Sequence, residues 1–261
     1  MAKFKHYYLI RIAYLGYRLH GWQKQPDVKT VHLMIDRTLR FVFENDEFKT
    51  LGASRTDAMV SASDSAFELF INQELPENFE EKFQWNLPPD IYFKSIEKVD
   101  QKFNIIQSVS VKTYRYFFCF GEKPNPLTAS FMAWYPEVWD LELLEKGIKL
   151  FEGTHNFKSF CTQPKEGIEF IRTIEKAELH KNDKLTANFI PEESYYIEFI
   201  SKGFVRNQVR LMVGALYLLS TQRLSLHNLE KALVEHYDFN NQLIIAHASG
   251  LHLTAVEFGD E

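Results

Sequence analysis

One polar segment combines a guanidinium group, a hydroxyl group and a carboxylate: Gly52-Ala53-Ser54-Arg55-Thr56-Asp57. If the chain turns between Arg55 and Asp57, the two side chains can pair, and the guanidinium group would hold Asp57 in its ionised, nucleophilic form. The same residues are also typical of a plain turn, in which Asp57 accepts hydrogen bonds from backbone N–H groups. Taken alone, this segment leaves both interpretations open.

A second candidate lies in an apolar segment with helical spacing that begins at Val205. Arg206 and Arg210 are four residues apart, so the pattern predicts that both project from one side of a helix. Each arginine either covers apolar surface with its stem or aims a cation at a carboxylate or phosphate.

A third candidate is an alternating strand that carries Tyr114-Arg115-Tyr116. Alternation places both tyrosines on one face, where they either pack in the core or stack on a ligand.

The charge distribution favours a nucleic-acid partner more than the net charge does. The 261 residues carry 30 Lys and Arg against 35 Asp and Glu, for a net charge of −5. Yet residues 1–25, 101–121 and 201–210 contain basic side chains and no carboxylate. If the three segments fold onto one face, they would form a positive groove with aromatic rings for stacking on bases. If they lie apart, each is an ordinary solvated edge of the protein.

Composition excludes several classes of protein. With 45% hydrophobic and 25% charged residues, the chain matches an ordinary globular protein. Its longest apolar run, Leu211–Leu219, has nine residues, whereas a membrane span needs about 20. Because the sequence also lacks a signal peptide, we expect a cytoplasmic protein with no membrane association. Cys119 and Cys161 are too few for a metal quartet, so we expect buried thiols and no metal site.

Hydrophobic periodicity predicts mixed strands and helices without regular alternation, which indicates an α+β fold of mainly antiparallel sheet. The predicted strands are 6–14, near Phe48, 65–71, 91–99, 109–120, within 168–180, 195–201 and 251–258. The predicted helices are 31–44 capped by Thr30, 78–86, a helix after Asp140 closed by Gly153, 205–220 and 226–236.

Six segments in order resemble the tRNA pseudouridine synthases of the TruA type. They are RLHGWQKQ (18–25), GASRTDAMVSA (52–62), KTYRYFF (112–118), FEGTHNFKSF (151–160), GFVRNQVRLMVGAL (203–216) and ASGLHLTAVEF (248–258). The resemblance covers nearly the whole chain.

The resemblance implies the pseudouridine synthase fold, with two α+β lobes (1–104 and 105–261) and an active-site cleft between them. It implies a homodimer that isomerises uridine to pseudouridine in the anticodon stem-loop, at tRNA positions 38 to 40, with no metal and no cofactor.

By motif position, Asp57 matches the catalytic aspartate and Arg55 its preceding arginine. Tyr114 matches the tyrosine that contacts the uracil, and Arg210 matches the arginine of the helix ending in Val-Gly. For the RNA phosphates, the predicted contacts are basic residues of the carboxylate-free segments: Arg18, Lys24, Lys202 and Arg206.

Two departures reshape the pattern after the aspartate. The family motif T-D-x-G-V-H-A has Gly and His where this chain has Met59 and Ser61. A family member with a different target position is therefore one alternative function. A non-catalytic RNA-binding protein is a second, and a small-ligand enzyme or lipocalin-like binder that uses the aromatic residues is a third.

Overall fold

A computed structural model describes residues 4–239 and 242–259. Within these ranges the fold is α+β, as predicted, and its sheets are mostly antiparallel. The strands are β1 His6–Tyr14, β2 Phe48–Gly52, β3 Ser61–Ile71, β4 Ile91–Lys98, β5 Val109–Phe120, β6 Ala133–Tyr135, β7 Gly153–Asn156, β8 Ile171–Ile174, β9 Lys176–Lys181, β10 Ser194–Ser201 and β11 Leu251–Phe258. The helices are α1 Val31–Phe43, α2 Phe79–Asn86, α3 Leu141–Lys149, α4 Gln208–Ser220 and α5 Leu226–Val234.

The chain forms two compact units. The first extends to Ser110 and takes up the chain again at Leu253, while the second is the continuous segment Val111–His252. The second unit is therefore inserted into the sequence of the first.

In the first unit the strand order is β4-β1-β3-β11, with β2 also paired to β3. The pairs β1–β3, β1–β4 and β2–β3 are antiparallel. Helix α2 packs on this sheet through Phe83, whose ring centroid lies 6.4 Å from that of Phe67 on β3 and 5.9 Å from that of Phe93 on β4. Phe43 of α1 stacks on Phe79 of α2 at 5.7 Å, so aromatic burial joins both helices to the sheet.

In the second unit β5, β10 and β9 are consecutive antiparallel neighbours, and β6 pairs with β5 in parallel. The short strands β7 and β8 form a separate antiparallel pair. Buried rings from different elements meet in the core, where the ring centroid of Phe151 lies 5.4 Å from that of Phe160 and 6.4 Å from that of Phe199 on β10.

The predicted helix starts at Thr30 and Asp140 are confirmed. The Thr30 hydroxyl accepts the Leu33 N–H at 3.3 Å, and the Asp140 carboxylate accepts the Leu143 N–H at 3.0 Å. Each side chain satisfies a backbone donor that the first helical turn leaves unpaired.

The predicted start of α4 is wrong. The helix begins at Gln208 and not at Val205, because Asn207 has left-handed backbone angles (φ 59°) that interrupt the helical run. Arg206 therefore precedes the helix, and it does not share a helical face with Arg210.

The two cysteines differ in environment. Cys119 is buried, as expected, and burial raises the pKa of its thiol to about 11. Cys161 is only half-buried, so the expectation of a buried thiol is not met there.

Of the helices in the described ranges, none is both long enough and apolar enough to cross a bilayer.

Candidate active site

Asp57 lies on the loop that joins the antiparallel neighbours β2 and β3. The Ala53 N–H donates to the Ala66 carbonyl at 3.0 Å, which fixes the start of the loop on the sheet. The chain reverses at Ala58 and Met59, and the Val60 N–H reaches back to the Asp57 carbonyl at 3.3 Å. The Asp57 side chain is half-buried, so the loop holds a carboxylate with access to solvent.

Thr56, the residue before Asp57, is held at both its side chain and its backbone. Its Oγ1 lies 2.9 Å from the hydroxyl of Tyr14 on β1, and its carbonyl accepts the Trp22 N–H at 3.0 Å. Burial raises the pKa of Tyr14 to about 12, so this hydroxyl stays protonated near neutral pH. The two contacts therefore fix the backbone next to the candidate nucleophile.

Two glycines let the segment after β1 lie directly against the Asp57 loop. A Cβ on Gly21 (φ 78°) would come within 2.5 Å of the Thr56 carbonyl oxygen and 2.9 Å of the Asp57 carbonyl carbon. A Cβ on Gly16 would come within 2.0 Å of the Val60 carbonyl oxygen. No side chain fits either gap, so both positions require glycine.

Arg55 does not form the ion pair with Asp57 that the sequence pattern suggested. Its side chain is exposed and, within the ranges that the structure describes, pairs with no carboxylate. The chain reversal falls at residues 58 and 59, after both side chains, and so does not close one onto the other. The Arg55 guanidinium is thus accessible to a ligand from solution.

Tyr114 and Arg210, the predicted substrate-binding residues, belong to the second unit. Tyr114 on β5 is buried, and its ring meets that of Phe204 edge-on at 5.2 Å. Tyr116, two residues along the same strand, bonds the hydroxyl of Tyr135 at 2.9 Å. Both tyrosines are buried and lie on one face of the strand, and this shared face is what their alternation predicted.

Arg210 lies in the first turn of α4 and is half-buried. Its Nε donates to the Ala246 carbonyl at 2.8 Å, and its Nη1 donates to Oδ1 of Asn207 at 3.1 Å. Asn207 in turn donates from Nδ2 to Oγ1 of Thr162 at 2.8 Å. These bonds hold the guanidinium plane in one orientation, as binding a planar or anionic group requires.

The four predicted phosphate contacts differ in how much of their charge is already matched. Arg18 donates two hydrogen bonds to Asp90, at 2.9 and 2.8 Å, and Lys24 pairs with Asp36.

The other two are on the segment before α4, and both are exposed. Arg206 bonds only the neutral amide of Gln163, at 2.8 Å. Lys202 has no ion pair with any carboxylate among the described residues. The segment from 202 to 206 therefore presents positive charge that no carboxylate in the described ranges neutralises.

In the part of the chain that the structure describes, His, Cys, Asp and Glu form no group of three or more suited to a metal.

Two residues that orient the candidates, each within its own unit, were not predicted from the sequence, namely Tyr14 and Asn207. Tyr14 looks like any tyrosine in a buried strand, so the sequence gives no signal for its bond to the Asp57 loop. For Asn207 a signal existed, because Asn before an apolar helical run is typical of a helix N-terminus.

Comparison with known proteins gives a consistent set of relatives. The profile of a family described as tRNA pseudouridine synthase matches residues 148–259. The tRNA pseudouridine synthase A of Mycoplasmoides gallisepticum is 31% identical over 265 residues, which cover 99% of this chain and 93% of the relative. The enzyme of that name from Lactobacillus acidophilus is 30% identical over 256 residues, covering 97% and 94%. That from Streptococcus sanguinis is 30% identical over 230 residues, covering 86% and 88%.

Proposed function

The chain belongs to the tRNA pseudouridine synthase A family of isomerases, and we propose that it converts uridine to pseudouridine in the anticodon stem-loop of tRNA, at positions 38 to 40. The observation that carries the proposal is the half-buried carboxylate of Asp57 on a loop whose preceding residue, Thr56, is bonded at its side chain by Tyr14 and at its carbonyl by Trp22. A held, solvent-accessible carboxylate suits a nucleophile or base that must meet a bound nucleotide.

The reaction rearranges bonds within one nucleotide. The bond between ribose C1′ and uracil N1 breaks, a bond between C1′ and C5 forms, and the C5 proton is replaced by a proton at N1. No atom or electron is gained or lost overall. Because the uracil is detached between the two steps, the site must hold it while it turns over.

In this proposal Asp57 starts the rearrangement. Its carboxylate attacks ribose C1′ or uracil C6, or removes the C2′ proton, and all three routes use the same ionised oxygen. Fixation of Thr56 supports the role, because a displacement of about 1 Å at a reacting group costs roughly 100-fold in rate.

We assign roles to the remaining site residues from their motif positions, and their environments support these roles. Arg210, with two of its donors on fixed oxygens, stabilises the negative charge that the carboxylate carries. By motif position Tyr114 contacts the uracil through the accessible edge of its mostly buried ring, and its hydroxyl relays the proton that leaves C5. Arg55 is exposed and pairs with no described carboxylate, which suits it to fill the stem position that the target base leaves.

A uridine within a stem must be flipped out, which costs a few kcal/mol. Phosphate contacts offset that cost, and Lys202 and Arg206 suit this role because no described carboxylate neutralises them. Arg18 and Lys24 stay predicted contacts, which must exchange Asp90 and Asp36 for phosphate in order to act. From the family resemblance we also propose a cytoplasmic location and a homodimer. Sedimentation velocity of the purified protein would test the dimer, and cell fractionation would test the location.

The deciding experiment uses an unmodified tRNA transcript and maps pseudouridine after incubation with the wild type and with Asp57→Ala. We expect conversion at positions 38 to 40 by the wild type, none by the variant, and equal tRNA binding by both. Conversion by Asp57→Ala would remove Asp57 as the catalytic residue. Conversion by the wild type at other positions would favour a different target, and binding without conversion would favour a non-catalytic RNA-binding protein.

A further inference from the structure

Met59 has a backbone conformation that is unfavourable for its residue type. It lies two residues after Asp57 with φ 67°, in the left-handed region that a residue with a Cβ rarely adopts. Glycine would adopt the same angles without steric cost, and it is the residue that the family motif has at this position.

The surrounding structure imposes this conformation. The Met59 N–H donates to the Leu19 carbonyl at 3.0 Å. Gly16 lies so close that a Cβ on it would be 2.9 Å from the Met59 carbonyl carbon. The backbone N–H of Gly16 is itself held by Oγ of the buried Ser61 at 3.0 Å. The turn is thus fixed on both sides of Met59 whatever side chain stands there.

The surrounding contacts therefore hold Met59 in an unfavourable backbone conformation, and its side chain is 37% exposed. Residues held in unfavourable backbone angles cluster at functional sites, where the surrounding structure maintains them. Met is apolar and flexible, and it adapts its shape to irregular surfaces. The exposed thioether lies in the same loop as Asp57, so it is accessible to a ligand that binds there.

We propose that Met59 is a further substrate-contacting residue, which places its side chain against the bases next to the extruded uridine. Apolar side chains, Met among them, insert between base steps and hold a stack open where a nucleic acid is distorted. Flipping the target uridine leaves such an opened step in the stem, where Arg55 would fill the vacated position and Met59 would contact the neighbouring base. This inference rests on the proposed function, because it takes the nucleotide bound at Asp57 to be the target.

Three substitutions separate the side chain from the backbone. Met59→Gly removes both the thioether and the steric conflict, Met59→Ala removes only the thioether, and Met59→Leu keeps an apolar side chain of similar size. We expect Met59→Gly and Met59→Ala to convert tRNA about tenfold more slowly in single turnover, which corresponds to the loss of a contact with one base step. Met59→Leu should stay within about threefold of the wild type.

The melting temperature provides the readout that separates a role in RNA contact from a role in folding. Met59→Gly should melt at or above the wild-type temperature, because the conflict at φ 67° is relieved. The matched control is Glu44→Gly, at an exposed residue with φ 57° after α1. It should relieve the same conflict without changing the rate.

A second measurement follows the stack itself. A stem-loop RNA with 2-aminopurine beside the target uridine is bound to the inactive Asp57→Ala protein, with and without Met59→Gly. We expect the fluorescence increase on binding to be smaller when Met59 is replaced, since the step is less opened.

Two outcomes would overturn the inference. One is a Met59→Gly rate within twofold of the wild type, and the other is a slow Met59→Gly variant with a lowered melting temperature, which would assign Met59 to the fold. Asp57→Ala in the same assay distinguishes the two proposals. If Asp57→Ala is inactive and Met59→Gly is fully active, only the role of Met59 fails, whereas an active Asp57→Ala removes the proposed site.

Discussion

The hydroxyl of Tyr14 and the Oγ1 of Thr56 lie 2.9 Å apart, and both side chains are buried. Tyr14 belongs to β1, a strand paired on both sides, while Thr56 belongs to the loop that carries Asp57. This hydrogen bond attaches the Asp57 loop to strand β1 of the sheet. The position of the candidate nucleophile is in this way set by the sheet.

Replacing Tyr14 with Phe should lower both stability and turnover. The change leaves the Thr56 hydroxyl buried and unpaired by Tyr14, which costs about 1–3 kcal/mol in the free energy of unfolding. We expect a fall of about tenfold in the single-turnover rate, with tRNA affinity unchanged, because Asp57 loses its fixed approach. Urea unfolding and rapid-quench kinetics measure the two effects.

Tyr7→Phe is the matched control for that substitution. In the wild type the Tyr7 hydroxyl donates to the Phe4 carbonyl at 2.9 Å, away from the Asp57 loop. A Tyr14→Phe variant that is less stable but turns over like Tyr7→Phe would show that the bond serves the fold alone.

Asn207→Gly should separate the orientation of Arg210 from the shape of the backbone. Glycine keeps the left-handed angles at φ 59° but loses the amide that accepts from Arg210 and donates to Thr162. We expect about a tenfold lower kcat with little change in KM, because Arg210 remains present but less well oriented. Asn207→Ala should show the same kcat and melt lower, since alanine is strained at these angles. An unchanged kcat in both variants would argue against the role of Asn207.

The salt dependence of tRNA binding should distinguish the basic residues. For Lys202→Ala and Arg206→Ala, we expect the slope of log K against log salt to fall in magnitude by about 1. For Arg18→Ala and Lys24→Ala the change should be smaller, because Asp90 and Asp36 already match those charges. Fluorescence anisotropy across a salt series gives the slopes, and equal slopes in all four variants would contradict this ranking.

The stability of the first unit should fall as the pH rises, because of Glu68. This carboxyl is buried on β3, its Oε1 has no hydrogen-bond partner among the described residues, and burial raises its pKa to about 7 from 4.5. The folded state therefore holds a proton that the unfolded state releases. The stabilising contribution is complete below pH 4.5 and is lost as the pH rises through 7.

Glu68→Gln should remove this dependence. The amide oxygen can still accept from the Ile105 N–H, which Glu68 accepts at 3.4 Å. We expect a gain of about 1–3 kcal/mol in the free energy of unfolding at pH 8 and little gain at pH 4.5. Urea unfolding at both pH values measures it, with the exposed Glu97→Gln as the control. A gain of equal size at both pH values would show that Glu68 does not titrate in this range.

Local patterns in the sequence were sufficient for most elements of the fold. The strands His6–Tyr14, Val109–Phe120 and Leu251–Phe258 have the predicted bounds, because alternation and flanking polar residues mark their ends. Strands β6 and β7 were not predicted, since three or four residues are too few to show a period.

Contacts between distant residues were beyond such patterns. Nothing in the local sequence indicates that Tyr14 would meet Thr56, 42 residues away, or that Arg210 would donate to the carbonyl of Ala246. The left-handed angles at Asn207 likewise depend on partners across the fold, notably Thr162. The sequence motifs thus placed Asp57 and Arg210 as candidates, while the residues that orient them required the structure.

The insertion of one unit into the other affects how the chain is made. Strand β11 lies next to β3, and the Arg11 guanidinium contacts the Val256 carbonyl, 245 residues later in the sequence, and the Phe258 ring. At about 5–20 residues per second, a ribosome takes roughly 10–50 s to deliver the later partner. The inserted unit, whose residues are contiguous, can complete its folding first, and the unit that carries Asp57 matures last.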